Sequence, residues 1–168
     1  HSPRIDSSSS KSNEQVIQRI QQQSYKGTIV IPPSKSDSQR AILCAGLAFG
    51  ISILKNVGAS ADELAMIATI RKFGARIQYL NEKELEVRGV GGLLFNSTDQ
   101  IEVGESGLGV RLLTAIASTS NLEVNIQGEG SLLERDLSFF ERVLPKMGVQ
   151  VTSNNGKLPL KVKLKLLI

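Results

Sequence analysis

The stretch Lys72-Phe73-Gly74-Ala75-Arg76-Ile77 returns 74 residues later as Lys146-Met147-Gly148-Val149-Gln150-Val151. In each copy a cation and a large apolar residue precede a glycine, and an alternating run follows it. That is the signature of a helix end, a glycine stop and a strand start. The echo extends on both sides. Leu85-Glu86-Val87-Arg88 matches Leu160-Lys161-Val162-Lys163 at an offset of 75, and Arg40 matches Arg111 at 71. A near-constant period of this length marks an internal repeat.

Hydrophobic periodicity fills in both units. The first is expected to hold a strand at Thr28–Ile31, a helix at Ser38–Phe49 and a strand at Ser52–Asn56. A second helix follows at Ala61–Phe73, with Leu64, Ile67, Ala68 and Ile70 at helical spacing. A hairpin of Arg76–Tyr79 and Glu84–Arg88 turns around Asn81-Glu82-Lys83. The second unit is expected to repeat the order. It has a strand at Gln100–Val103, a helix at Val110–Ser118, a strand at Leu122–Gln127 and a helix at Leu137–Met147. Its closing hairpin, Gln150–Ser153 and Leu160–Lys163, turns around Asn154-Asn155-Gly156. The fold class is α+β (α/β): tandem β-α-β-α-β-β units, helices inside and sheets outside, sharing one core. Repeat one spans about 27–95 and repeat two about 96–168, within a domain of 25–168. Residues 1–24 differ, with a serine run at Ser7–Ser10 and a Gln-rich stretch whose apolar residues are Val16, Ile17 and Ile20. They read as a tag- or linker-like tail with room for one short helix.

Composition narrows the function. The 168 residues have a mean hydropathy of −0.03, 40% hydrophobic residues and a net charge of +4. No apolar run approaches the ~20 residues of a membrane span, so no membrane role is expected. The mild basicity suits small acidic ligands. Trp is absent and aromatics are 4%, which argues against stacking on nucleic-acid bases. The single cysteine, Cys44, lies in the apolar run Ala41-Ile42-Leu43-Cys44-Ala45 and reads as a small core residue. It has no partner for an internal disulfide. With His1 as the only histidine, a His- or Cys-ligated metal site is not expected, nor is a cofactor.

Chemistry concentrates in Pro32-Pro33-Ser34-Lys35-Ser36-Asp37-Ser38-Gln39-Arg40. Prolines end a strand, and serines can cap the free amides of a helix start. Lys35 and Arg40 sit where the helix dipole disfavours cations unless an anion arrives. A helix beginning near Ser36 places Ser36 and Arg40 one turn apart on one face. The stretch reads equally as a phosphate or carboxylate site, or as an N-cap serine beside two solvated cations.

The spacing Pro-x-Ser-Lys-Ser-x-Ser-x-Arg at Pro32–Arg40, followed by an Ala/Leu-rich helix, resembles the EPSP synthase (3-phosphoshikimate 1-carboxyvinyltransferase) family. Gly107-Leu108-Gly109-Val110-Arg111 is similar to the family's Asn-Ala-Gly-Thr-x-x-Arg block. Gly128-Glu129 through Glu134-Arg135 is similar to its Gly-x-x-x-x-x-Glu-Arg-Pro block. The resemblance implies transfer of the enolpyruvyl group of phosphoenolpyruvate to the 5-hydroxyl of shikimate 3-phosphate, in the shikimate pathway of aromatic amino acid biosynthesis, without a metal. It implies that Lys35, as a catalytic and binding residue, and Arg135 hold phosphoenolpyruvate, with Gly107 allowing close backbone approach. Lys35, Ser36 and Arg40 would hold shikimate 3-phosphate, and Arg111 would support the Gly107 loop. The plain alternatives are a salt bridge from Arg135 to Glu134 or Asp136, and a simple turn at Gly107.

The chain departs from that pattern at Pro33 (Gly in the family), at Glu105-Ser106 and Leu108 (Asn-Ala and Thr), at Leu112 (Pro) and at Asp136 (Pro). The family has six repeat units in two domains, of which this chain holds two. The Ser-Ser-Gln stretch of the third unit and the catalytic Asp and Lys of the opposite domain are not in it. The chain is therefore expected to be an N-terminal fragment, inactive alone, whose remaining partner is the C-terminal part of the enzyme. The resemblance implies a cytoplasmic location, or a plastid in a plant. Two other readings compete. UDP-N-acetylglucosamine enolpyruvyl transferase shares the fold but typically carries Lys-Asn where Lys35-Ser36 stands. A non-catalytic module binding anions or sugar phosphates would use the same cations. Nucleic-acid binding ranks behind both, since no Lys/Arg run stands out.

Overall fold

Two sheets of matching strand order carry the four α-helices found among the described residues, which are 26–92 and 99–165 in a computed structural model. The first sheet joins β1 (Ile51–Lys55), β2 (Arg76–Asn81) and β3 (Glu84–Arg88) in the antiparallel order β1-β3-β2. The second joins β4 (Gln100–Glu102), β5 (Val124–Gln127), β6 (Val149–Asn154) and β7 (Lys157–Leu164) in the order β4-β5-β7-β6. The last three strands of the second sheet reproduce the first in register. Ser52 faces Val87 as Val124 faces Val162, and Ile53 faces Glu86 as Asn125 faces Lys161. Across the hairpins, Ile77 faces Val87 as Val151 faces Val162. A one-residue slip would turn each buried face outward, so the shared register reflects the shared apolar alternation.

The fourth strand, β4, has no counterpart in the first sheet. Thr28–Ile31, expected as that counterpart, forms no strand: Ile29 and Val30 are 86% exposed and Ile31 74%. An apolar run becomes a strand only against a ladder, and no described strand pairs with these residues. The chain also divides into two units between Val30 and Ile31. Of the first unit only residues 26–30 are described, so the expected tail at 1–24 lies outside the described residues.

Four helices position the site. Helix α1 (Lys35–Leu47) starts three residues earlier than the sequence suggests. Ser34 is its N-cap, accepting a 3.3 Å hydrogen bond from the Asp37 amide. The run Ala41–Ala45 is wider than one helix face, so one residue must turn out, and it is Cys44. The cysteine expected in the core is exposed, while Ile42, Leu43 and Ala45 are buried. Helix α2 (Ala61–Lys72) carries Asp62 and Glu63 in its first turn and Arg71 and Lys72 in its last, matching its dipole. It buries Glu63, Met66, Ile67, Thr69 and Ile70. Leu64 and Ala68, expected on that face, are exposed. Gly46 of α1 lets the two helices approach closely, because a Cβ there would overlap the Ile70 side chain.

Helix α3 (Gly107–Ala117) is capped by Ser106. The helix expected at Leu137–Met147 is α4 (Phe139–Val143) followed by a 3-10 turn at Leu144–Met147, ended by Gly148 at φ +79°. Pro145 lacks the amide that a continuous α-helix would need there. Helix α2 also blunts the open edge of β4. The Thr69 hydroxyl donates to the Glu102 carbonyl, and Lys72 Nζ donates to the Gln100 carbonyl, both at 3.2 Å. One hydrophobic core runs from Ile42 through Met66, Ile70 and Leu85 to Ile126, Leu160 and Val162.

Candidate functional site

The N-termini of α1, α2 and α3 are tied together by side chains of which the sequence alone singled out Lys35 but not its partners. At the first joint, Ser106 Oγ donates a 2.6 Å hydrogen bond to Gln39 Oε1 and accepts one of 2.8 Å from the Gly109 amide. Gln39 Nε2 in turn donates to the Lys35 carbonyl at 3.3 Å. At the second, the Gly58 amide donates to Ser38 Oγ at 3.4 Å and to Glu63 Oε1 at 3.0 Å. At the third, Lys35 Nζ meets Asp62 Oδ2 at 3.0 Å. A cation in the first turn of α1 is thus answered by an anion in the first turn of α2.

Glu63 is 1% exposed, and burial alone would raise its pKa. The Ser60 amide, with the Ser38 hydroxyl and the Gly58 amide, outweighs that and holds the carboxyl below its ordinary value. The spacing Ser60-x-x-Glu63 is a capping-box signature from which this carboxylate could have been found. Asp62 left no comparable signal, since its partner comes from another helix.

A fourth tie lies at the start of α3. Glu105 Oε2 accepts from the Ser131 amide and the Ser131 hydroxyl, both at 3.0 Å. Ser131 belongs to the 3-10 turn Gly130–Glu134, which ends at Arg135. The Arg135 guanidinium lies directly against Gly107, where a Cβ would overlap it. Arg111 Nη1 donates to the Gly107 carbonyl at 3.4 Å, one turn back along α3. Neither acidic neighbour binds Arg135. Glu134 pairs with Lys157 Nζ at 2.5 Å, whose hydrogen bond and charge lower its pKa. Asp136 accepts from the Ser138 amide at 2.8 Å, and the Ser138 hydroxyl and amide hold its carboxyl low.

The candidate residues therefore fall into two groups. Gly107, Arg111 and Arg135 are brought together. Lys35 is linked to them through Gln39 and Ser106. Ser36 and Arg40 stand on the exposed face of α1, and the contact of Arg40 is a 3.4 Å pair with Asp37. Both side chains of that pair are more than half exposed, so it holds Arg40 weakly. Among the described residues no cluster of His, Cys, Asp and Glu could hold a metal ion.

Fold and site define a repeat protein of mixed α/β structure that presents cations at converging helix N-termini. The EPSP synthase (3-phosphoshikimate 1-carboxyvinyltransferase) family model matches residues 20–167, and the chain belongs to that family. The 3-phosphoshikimate 1-carboxyvinyltransferase of Methanobrevibacter smithii is 39% identical over 140 residues, 82% of this chain and 32% of that protein. That of Methanococcus maripaludis is 38% identical over 142 residues, with the same shares. A solved structure of EPSP synthase from Acinetobacter baumannii matches with a TM-score of 0.74 at 27% identity, again over 82% of this chain and 32% of that one. The chain thus spans about a third of the length of these relatives.

Proposed function

We propose that this chain supplies part of the substrate site for enolpyruvyl transfer from phosphoenolpyruvate to the 5-hydroxyl of shikimate 3-phosphate. In that reaction the hydroxyl oxygen bonds to C2 of phosphoenolpyruvate, and the C2–O bond to phosphate breaks. The hydroxyl proton must leave, and a proton must come and go at the methylene carbon. Lys35 is the residue of this chain suited to that proton traffic. Its ammonium and the planar fork of Arg135 bind phosphoenolpyruvate, and Gly107 leaves room beside them. Lys35, Ser36 and Arg40 hold shikimate 3-phosphate, while Arg111 keeps the Gly107 loop in shape.

The observation that carries this reading is the Arg135 guanidinium against Gly107, with Glu134 and Asp136 both bound elsewhere. An exposed guanidinium beside a helix start, paired with neither Glu134 nor Asp136, is suited to an external anion. Repeat bounds of about 27–95 and 96–168 and a cytoplasmic setting belong to the same proposal. No helix among the described residues is long and apolar enough to cross a membrane.

The half-site is open to water, where each ion pair contributes about 0–1 kcal/mol. The 168 residues alone should therefore bind anions weakly and not turn over. Titration of the chain by NMR with phosphoenolpyruvate, and separately with shikimate 3-phosphate, tests the reading. Shifts confined to residues 35–40, 105–111 and 131–135, weakening with salt, are expected. No shift at millimolar ligand, or shifts that persist in Arg135→Ala and Lys35→Ala, overturn it.

A further inference from the structure

We infer that Glu105 is a positioning residue that fixes the Arg135 guanidinium over Gly107 and, through its charge, limits how strongly that site attracts anions. The inference rests on the anion-site reading of Arg135. Glu105 and Gly107 lie two residues apart at the start of α3, and each contacts one end of the turn that carries Arg135. At the near end, the Glu105 carboxylate binds both the amide and the hydroxyl of Ser131 at 3.0 Å. It also packs against Gly130, which sits at φ +55° and whose missing Cβ would overlap the carboxylate. That position demands glycine twice over, for conformation and for space. At the far end the turn closes with the Arg135 amide donating to the Leu132 carbonyl at 3.2 Å, and the guanidinium meets Gly107.

The Ser131 amide, then the Ser131 hydroxyl and the Arg135 charge, hold the Glu105 carboxyl below its ordinary value, so it is an anion at neutral pH. An incoming carboxylate or phosphate at Arg135 therefore meets a fixed negative charge. Glu105→Gln separates the two roles. It keeps an oxygen that can accept from Ser131 and removes the charge. Glu105→Ala removes both.

The test is a titration of the whole chain and its variants with phosphoenolpyruvate and with inorganic phosphate at low salt. The Arg135 Nε–H resonance is followed by NMR as a second readout. Glu105→Gln should bind both probes about two- to five-fold more tightly, as expected for one exposed charge. The gain should fade as salt rises and vanish in an Arg135→Ala background. The Arg135 resonance should stay dispersed in Glu105→Gln and move to its unstructured position in Glu105→Ala. Equal or weaker binding by Glu105→Gln, or a gain that survives Arg135→Ala, overturns the inference while leaving the site standing. Binding by no variant at all overturns the site reading and this inference with it.

Discussion

Ser106 Oγ donates to Gln39 Oε1 at 2.6 Å, a hydrogen bond between residues 67 positions apart that are 3% and 2% exposed. It joins the first turn of α1 to the cap of α3, and so fixes where Lys35 stands relative to the loop that holds Arg135. Buried polar atoms cost far more when orphaned than they contribute when paired.

Ser106→Ala orphans the Gln39 oxygen and uncaps the Gly109 amide. A loss of about 1–3 kcal/mol is expected from the orphaned group, with about 1 kcal/mol more from the cap. Gln39→Leu should cost a similar first amount. Because the two share one bond, the double variant should be less damaged than the sum by about 0.5 kcal/mol or more. Urea unfolding of the four proteins reads this, and strict additivity would refute the coupling.

Glu63 predicts a pH signature. Its carboxyl is held below the ordinary 4.5 by hydrogen bonds to its charged form. A lowered native pKa adds stability that is complete above the unfolded value and is lost as pH falls through the native one. Glu63→Gln places an amide nitrogen where one of the Ser60 and Gly58 amides needs an acceptor, so it should be destabilised by about 1–3 kcal/mol at neutral pH. The gap between wild type and variant should be flat down to about pH 5 and close below it. Urea midpoints across the acid range measure it, and a gap still constant at pH 3 would show that the carboxylate contributes nothing special.

The contrast between what the sequence disclosed and what it did not follows from the range of the interactions. The repeat was legible because Gly74 and Gly148 stop corresponding helices and the alternation in β3 and β7 is local. The three residues Gly107, Arg111 and Arg135 were legible as motif positions, and the structure draws them together. Asp62 opposite Lys35 and Ser131 beneath Glu105 were not, since each pair joins separate elements and leaves no periodic trace. Thr28–Ile31 misled for the converse reason. Its composition states a β preference, but a strand also needs a neighbour, which composition does not supply. Cys44 shows the same limit on a helix, where five consecutive apolar residues cannot all share one face.

The second hairpin turns on Asn155 at φ +52° and Gly156 at φ +77°, the left-handed pair that a two-residue hairpin requires. Asn tolerates this conformation, and a β-branched residue does not. Asn155→Val should cost about 1–2 kcal/mol. Asn155→Gly should be nearly neutral. Thermal melts compare them, and equal melting temperatures would show that the turn is not strained by a side chain.

Gly107 and Gly89 offer a separation of function from stability. A Cβ at Gly89 would overlap the main-chain carbonyl oxygens of Ala45 and Ala48, at the end of α1. Backbone cannot step aside cheaply, so Gly89→Ala should lose about 1–3 kcal/mol or fail to fold. A Cβ at Gly107 would overlap only the tip of Arg135, the far end of a flexible exposed side chain. The first turn of a helix accepts alanine well. Gly107→Ala should therefore melt within about 0.5 kcal/mol of wild type, while its phosphoenolpyruvate affinity drops to that of Arg135→Ala because the guanidinium has been pushed from its seat. Melting and titration on the same samples decide it. A stable Gly107→Ala that binds as well as wild type would show that the position of Arg135 against Gly107 has no part in anion binding.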